Sequence, residues 1–250
     1  MSGRIKLSSA RRGMAAFLSY AQRIPTIPVA RHMKLAPLVQ ARARLASRPS
    51  WSAIFIWTYA RVCTEFANLR RVWVSWPRPY LYEHPHPVCT VAIEREHEGE
   101  RIVLGGHINH PEEACLDEIE EHLRRLQHAE IWSISRYRMA LRFGRVPRFL
   151  QRLLLWQRLD TSGPRRVKYL GTFGLTNYGK LGAESLHPIG PQTSVLTLGP
   201  INPEGEVTVK LVYDHRVLDG SDIARALVRL DEVLHTTTLA ELRQVSGRAA

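Results

Sequence analysis

Acidic residues are missing from the first quarter of this chain: none precedes Glu65, whereas eleven lysines and arginines do. Lysine itself is scarce, occurring only at positions 6, 34, 168, 180 and 210, so arginine supplies thirty of the thirty-five basic residues. Cysteine occurs only at Cys63, Cys89 and Cys115, with no Cys-x-x-Cys pair. That excludes a disulfide framework and points to a reducing compartment. No run of eighteen apolar residues exists, so no transmembrane helix is expected. There is no Gly-rich phosphate loop and no dinucleotide fingerprint, which leaves nucleotide-dependent chemistry without its usual cradle.

What is present is a 250-residue chain, 44% hydrophobic, long enough for one sizeable core. Its formal net charge is +12 and its pI about 10.2. An arginine bias of this kind fits a GC-rich coding sequence as well as attraction to an anionic partner. Nucleic-acid binding would rest on charge alone, with no recognition motif, and is not expected. The basic, serine-containing opening has the composition of an organellar transit segment, although the apolar stretch Met14 to Leu18 is too short for a secretory signal.

Periodicity orders the chain. Residues 8–22, 35–46 and 50–69 read as helices, the third capped by Ser50 or Ser52. Ile24 to Pro28 reads as extended. Residues 71–76 alternate as a short strand. Val88–Ile93 and Arg101–Ile108 read as a hairpin about the Glu98-Gly99-Glu100 turn. Pro111 to His128 reads as a helix with Pro111 in its first turn and Leu116, Ile119, His122, Leu123 and Leu126 on one face. Tyr169–Thr176, Thr193–Leu198 and Val207–Tyr213 read as strands, and a last helix covers about 222–235.

Between Arg136 and Leu159 lie seven arginines and no acid, interleaved with Leu141, Phe143, Val146, Phe149, Leu150, Leu153, Leu154, Leu155 and Trp156. Pro147 is placed to start a helix, and Thr161 to Pro164 reads as a loop. Three roles are open to this segment: a core or subunit-contact helix, a face that lies on an anionic membrane through 138–158, or a basic wall for an anionic ligand. His84-x-His86 and His107-x-x-His110 are near-pairs, but no cysteine or carboxylate cluster completes a site at usual spacing, so no metal is expected.

The most informative segment is Asp214-His215-Arg216-Val217-Leu218-Asp219-Gly220, set between a strand-like run and a helix-like run. Histidine is the side chain suited to moving a proton near neutral pH, and here it sits at a strand end. Upstream lie Gly171-Thr-Phe-Gly-Leu-Thr176-Asn177-Tyr-Gly179 and Pro191-Gln192 through Leu198-Gly199. In order and spacing these three segments resemble the catalytic domain of the dihydrolipoyl acyltransferases of 2-oxo acid dehydrogenase complexes and, more distantly, chloramphenicol acetyltransferase. Leu7 to Ala15 resembles that family's first helix.

The resemblance implies an α/β two-layer sandwich of the chloramphenicol acetyltransferase type, a mixed sheet covered by helices. Residues 1–250 would form one catalytic domain with an Arg-rich insertion at about 130–168. It implies His215 as general base, with its tautomer set by a backbone hydrogen bond. Thr176 would donate to the oxyanion where the family has serine, keeping the hydroxyl but adding a methyl group. Asp219 would pair with an arginine of the first helix, Arg11 before Arg12. Gly220 would allow tight packing where the strand becomes a helix, and Asn177, beside Thr176, and Asp214 would support the site structurally. A homotrimer is implied, with His215 facing Thr176 of a neighbouring chain.

No lipoyl or peripheral-subunit-binding module occurs in these residues, so no lipoate is expected on this chain. The expectation is therefore a stand-alone acyltransferase using acyl-CoA or an acyl carrier and a thiol, hydroxyl or amine acceptor. It would be cytoplasmic, or held at the inner face of a membrane. The alternative is a non-catalytic trimeric scaffold or membrane-surface assembly protein on the same fold, for which an intact Asp-His-Arg-x-x-Asp-Gly motif would be needless.

Overall fold

A computed structural model describes residues 3–248. Helix α1 spans Ser9–Ala21, and the Ser8 hydroxyl accepts from the Arg11 N–H at its N-terminus. Strand β1 (Thr26–Lys34) is followed by α2 (Ala36–Ala43) and α3 (Trp51–Glu65). Of the two candidate caps for α3 it is Ser50 whose side chain accepts, from Ala53 N–H. The helix read as 50–69 ends at Glu65, and a 3-10 turn over Ala67–Arg70 leads into β2 (Arg71–Val74). Strands β3 (Tyr80–Glu83), β4 (Val88–His97) and β5 (Glu100–Asn109) follow, then α4 (Leu116–His128). Next come α5 (Ser135–Phe143), α6 (Arg148–Leu159), α7 (Gly163–Leu170), β6 (Phe173–Asn177), β7 (Ser194–Leu198), β8 (Glu206–Asp214), α8 (Gly220–Val233) and α9 (Leu239–Arg248).

Six strands form one mixed sheet in the order β1-β8-β7-β6-β4-β5, and β2 pairs β3 separately. The two parallel junctions are β4–β6 and β6–β7; the others are antiparallel. Phe173, Leu175, Leu196, Leu198, Val209, Leu211 and Tyr213 enter the core. Period two therefore sends Gly174, Thr176, Val195, Thr197, Lys210 and Val212 to the opposite face. Helix α3 is buried nearly all round, between α4 and α8 on the core face. Each fully buried Phe, Ile or Val there contributes roughly 1.5–3 kcal/mol. Its Tyr59 stacks edge-on against Phe173 at 5.0 Å and its hydroxyl meets Ser194 Oγ at 2.9 Å, which fixes α3 over the sheet.

Further boundaries differ from the pattern reading. Helix α4 begins at Leu116, not at Pro111, because the Glu118 carboxylate accepts from Cys115 N–H and stops the helix there. Thr161 to Pro164 is only partly loop: the Ser162 hydroxyl accepts from Arg165 N–H and Gly163-Pro164 form the first turn of α7. Tyr169 and Leu170 accordingly end that helix instead of starting β6, and Gly171, with φ of 71°, turns the chain into the strand. The Arg-rich segment is two helices, broken at residues 144–147. At that break α1 and α5 touch through Gly144, where an added Cβ would lie 1.8 Å from the Ser9 carbonyl oxygen. Among the described residues no helix is long and apolar enough to cross a membrane.

Candidate active site

His215 is the first residue beyond β8, and both long-range and local bonds hold it. Its N–H donates to the Pro25 carbonyl at 2.9 Å, and the Asp214 N–H donates to Thr193 O at 2.9 Å. The Asp214 carbonyl accepts from Val217 and Leu218, closing the turn. Asp214 is buried, and its carboxylate accepts the Arg216 backbone N–H at 3.0 Å and the guanidinium fork at 2.9 and 2.7 Å. That fork lies over the Trp73 ring at 5.4 Å. Asp214 is thus the internal brace of the turn, and Arg216 is its counter-charge. Sequence reasoning left Arg216 without a role, although its place two residues after a buried aspartate was the signal.

The imidazole Nδ1 of His215 lies 3.0 Å from the Leu218 carbonyl oxygen. A carbonyl only accepts, so Nδ1 carries the proton in neutral imidazole and Nε2 is left as an acceptor. His215 is 43% exposed, with the Tyr213 ring edge-on at 5.6 Å, so Nε2 has room for an incoming group.

Asp219 is the N-cap residue of α8 and is 78% exposed, with Oδ1 3.6 Å from His215 Nδ1. It does not pair with Arg11. The Arg11 guanidinium donates to Glu100 Oε1 at 3.0 and 2.7 Å, and Arg12 donates to the Gly144 and Leu7 carbonyls. The topology gives the reason. Glu100 opens edge strand β5 at the hairpin tip, whereas Asp219 follows β8, four strands away at the other end of the sheet. Gly220 opens α8. A Cβ there would stand 3.4 Å from the Tyr213 hydroxyl, an ordinary contact, so tight packing does not demand glycine within one chain.

Thr176 lies on the face of β6 opposite the core and is 7% exposed. Asn177 donates through Nδ2 to Ser52 Oγ at 3.3 Å and accepts the Gly179 N–H at 2.8 Å, which ties the end of β6 to the start of α3. The structure does not bring Thr176 and His215 together within a chain. Thr176 is level with Thr197 and Lys210, and His215 is five residues beyond Lys210. The separation is about 17 Å along the strands and about 10 Å across them. The stretch 178–193 runs over this face, where Glu184 meets Lys210 Nζ at 2.8 Å and the Ser185 carbonyl accepts from Thr197 Oγ1 at 3.1 Å.

The Arg-rich helices stand elsewhere. Arg136 donates to the Lys168 and Tyr169 carbonyls at the end of α7, and burial lowers its pKa to about 10. Arg158 lies over Tyr169. A cavity of about 320 Å³ opens between α5 and α6, lined by Arg138, Arg142 and Arg158 with Met139, Phe143 and Leu154.

Residues 170–242 match the family described as 2-oxoacid dehydrogenases acyltransferase, catalytic domain. The structure is similar to the dihydrolipoamide acetyltransferase of Azotobacter vinelandii, with a TM-score of 0.67 at 13% identity over 95% of this chain and 93% of that one. It is similar to a probable dihydrolipoamide acetyltransferase from Listeria monocytogenes, with a TM-score of 0.64 at 20% identity over 94% of each chain. A chloramphenicol acetyltransferase matches with a TM-score of 0.52 at 13% identity, covering 94% of this chain and all of that one. No curated protein matches the sequence. The resemblance read from the motifs therefore stands, the solved structures show the fold to be the α/β sandwich of the chloramphenicol acetyltransferase type, and the family match over residues 170–242 supports an acyltransferase.

Proposed function

We propose that this acyltransferase-type chain moves an acyl group from a thioester, acyl-CoA by preference, to a thiol, hydroxyl or amine, in a site shared between two copies. The observation that carries the reading is His215 itself: a strand-end imidazole with Nδ1 held by a carbonyl and Nε2 free to accept. Nε2 takes the proton of the acceptor as its heteroatom attacks the thioester carbonyl. The oxyanion of the tetrahedral intermediate accepts a hydrogen bond from a hydroxyl, the role assigned to Thr176. Collapse breaks the carbon–sulfur bond, and the imidazolium returns its proton to the departing thiolate. Asp214, with Arg216 as counter-charge, positions the turn.

Thr176 and His215 are too far apart in one chain to act on one carbonyl, which supports a homotrimer in which His215 works with Thr176 of a neighbour. The test is complementation. His215→Ala and Thr176→Ala chains are each inactive or nearly so. Unfolded together and reassembled one to one, they should recover about a quarter of wild-type activity, because random assembly leaves that share of sites with both groups intact. Recovery no greater than the sum of the two variants would refute the shared site.

The donor reading draws on the arginines of the α5–α6 cavity, which suit the phosphates of CoA. One observation favours a second reading, a lipid acceptor reached at a membrane surface. Phe149 is 71% exposed, and Leu150, Leu153 and Trp156 are exposed beside it on α6, flanked by Arg148 and Arg152.

A further inference from the structure

Two histidines far apart in sequence meet at the open end of the β4–β5 hairpin. His86 precedes β4 and His110 follows β5, and the Val88↔Asn109 register sets both at one end of the pair. Their ring centroids are 4.3 Å apart, with the planes tilted by 59°. The turn toward α4 adds Glu112 and Glu113, and one ligating atom of each of the four residues lies within 4.8 Å of the others. Glu112 Oε1 is 3.2 Å from His86 Nδ1 and 3.8 Å from His110 Nδ1, and Glu113 Oε1 is 4.0 Å from His86 Nδ1.

A second observation points to a ligand. The Glu112 side chain is only 9% exposed, and its Oε2 has no hydrogen-bond partner. An unpaired, desolvated carboxylate oxygen is costly unless something positive meets it. Two neutral imidazoles and two carboxylates carry a net charge of −2 and present two nitrogen and two oxygen donors. That set suits a tetrahedral transition metal and is too poor in oxygen for calcium or magnesium.

We propose that His86, His110, Glu112 and Glu113 form a zinc site. In a tetrahedral site with bonds of about 2.0–2.1 Å, neighbouring ligand atoms stand about 3.3 Å apart. The present separations close to that by side-chain movements of about 1 Å. The metal would clip the entry to β4, the exit from β5 and the turn that leads to α4. Three strand spacings, about 14 Å, separate β4 from β8 and its histidine. The role assigned to the clip is structural, and it stands whether or not His215 is a base.

The test is zinc titration of chelator-treated full-length protein against a chromogenic competitor, with melting temperature and the visible spectrum of the cobalt-substituted protein as further readouts. The wild type should take up one zinc per chain, melt at higher temperature with it, and give the intense visible bands of tetrahedral cobalt. His110→Ala and Glu112→Gln should lose at least about 100-fold in zinc affinity, while His215→Ala keeps it. Glu113 is exposed, so Glu113→Gln supplies a variant that folds even if Glu112→Gln does not, with an expected loss of about 10-fold. Absence of stoichiometric zinc uptake, or uptake indifferent to His110→Ala and Glu113→Gln, would overturn the site and leave the cluster as an ion-paired turn.

Discussion

The turn at His215 and the Arg-rich helices α5 to α7 use charged residues in opposite ways. In the turn, the side-chain bonds fall within nine consecutive residues: Asp214 braces Arg216, Leu218 orients His215, and Asp222 accepts the Asp219 N–H at the head of α8. Every one of those partners lies within four positions, so the arrangement travels with the sequence. In the helices one residue type does unrelated jobs. Arg136 caps the carbonyls of α7, Arg145 lies over Trp132, Arg158 lines a cavity, and Arg148 and Arg152 face solvent. Which arginine does which is decided by what packs opposite. The comparison teaches that composition signals only that a segment is unusual, whereas short-range spacing signals a device.

The largest effects should fall on the turn. His215→Ala should abolish transfer in assays of CoA release, with the melting temperature within a few degrees of wild type, since the imidazole is half exposed. Thr176→Ala should slow turnover by about 10²–10³ if its hydroxyl holds the oxyanion. Equal activity in the two variants would erase the contrast between base and oxyanion donor.

A middle-sized effect should appear where the Arg-rich helices meet the sheet. His107 on β5 is buried beside Arg136 and the end of α7, and burial first, with the Arg136 charge second, holds its pKa at about 3. Its folded value lies below the unfolded one, so the unfolded chain binds the extra proton. The stability due to neutral His107 is complete above about pH 6.5 and is lost as pH falls toward 3. At pH 5 the loss is about 2 kcal/mol. Urea unfolding at pH 7 and pH 5 should show that difference in the wild type and a smaller one in His107→Gln. Equal acid slopes would remove His107 as the cause.

The smallest structural effect should come from Arg148→Gln with Arg152→Gln, within about 0.5 kcal/mol of wild-type stability, because both side chains are exposed. Co-flotation with anionic vesicles sharpens the comparison. Two arginines at about 1 kcal/mol each would weaken vesicle binding by about 30-fold. Unchanged flotation would leave the exposed face of α6 as a protein contact.

Legibility followed the range of the interactions involved. The Ser50 cap, the Glu98-Gly99 hairpin turn and the Nδ1 bond of His215 each join residues no more than three positions apart; the pattern marked the hairpin turn and narrowed the cap to Ser50 or Ser52, and the family resemblance implied the backbone bond of His215. Helix α7 was hidden because Gly163-Pro164 is equally a turn signal and a helix start, and only the packing of Gly163 against the Tyr82 ring distinguishes them. Arg11 was matched to Asp219 by the family resemblance, and Glu100 holds it instead because α1 packs beside α5 near the far edge of the sheet. His86 and His110 were read in two separate near-pairs, with His84 and with His107, and no carboxylate was joined to either. Only the β4–β5 register brings them together.

The sequence by itself determined the strand-turn-helix that holds His215, the hairpin, and the alternation that puts Thr176 on the opposite face from Phe173 and Leu175. These depend on bonds and periods spanning a few residues. Only the tertiary structure decided that Thr176 and His215 stand far apart in one chain, that Arg11 belongs to Glu100, and that two histidines and two glutamates share a corner. Strand order, register and helix packing are set by the burial of the whole core, and no local spacing encodes them.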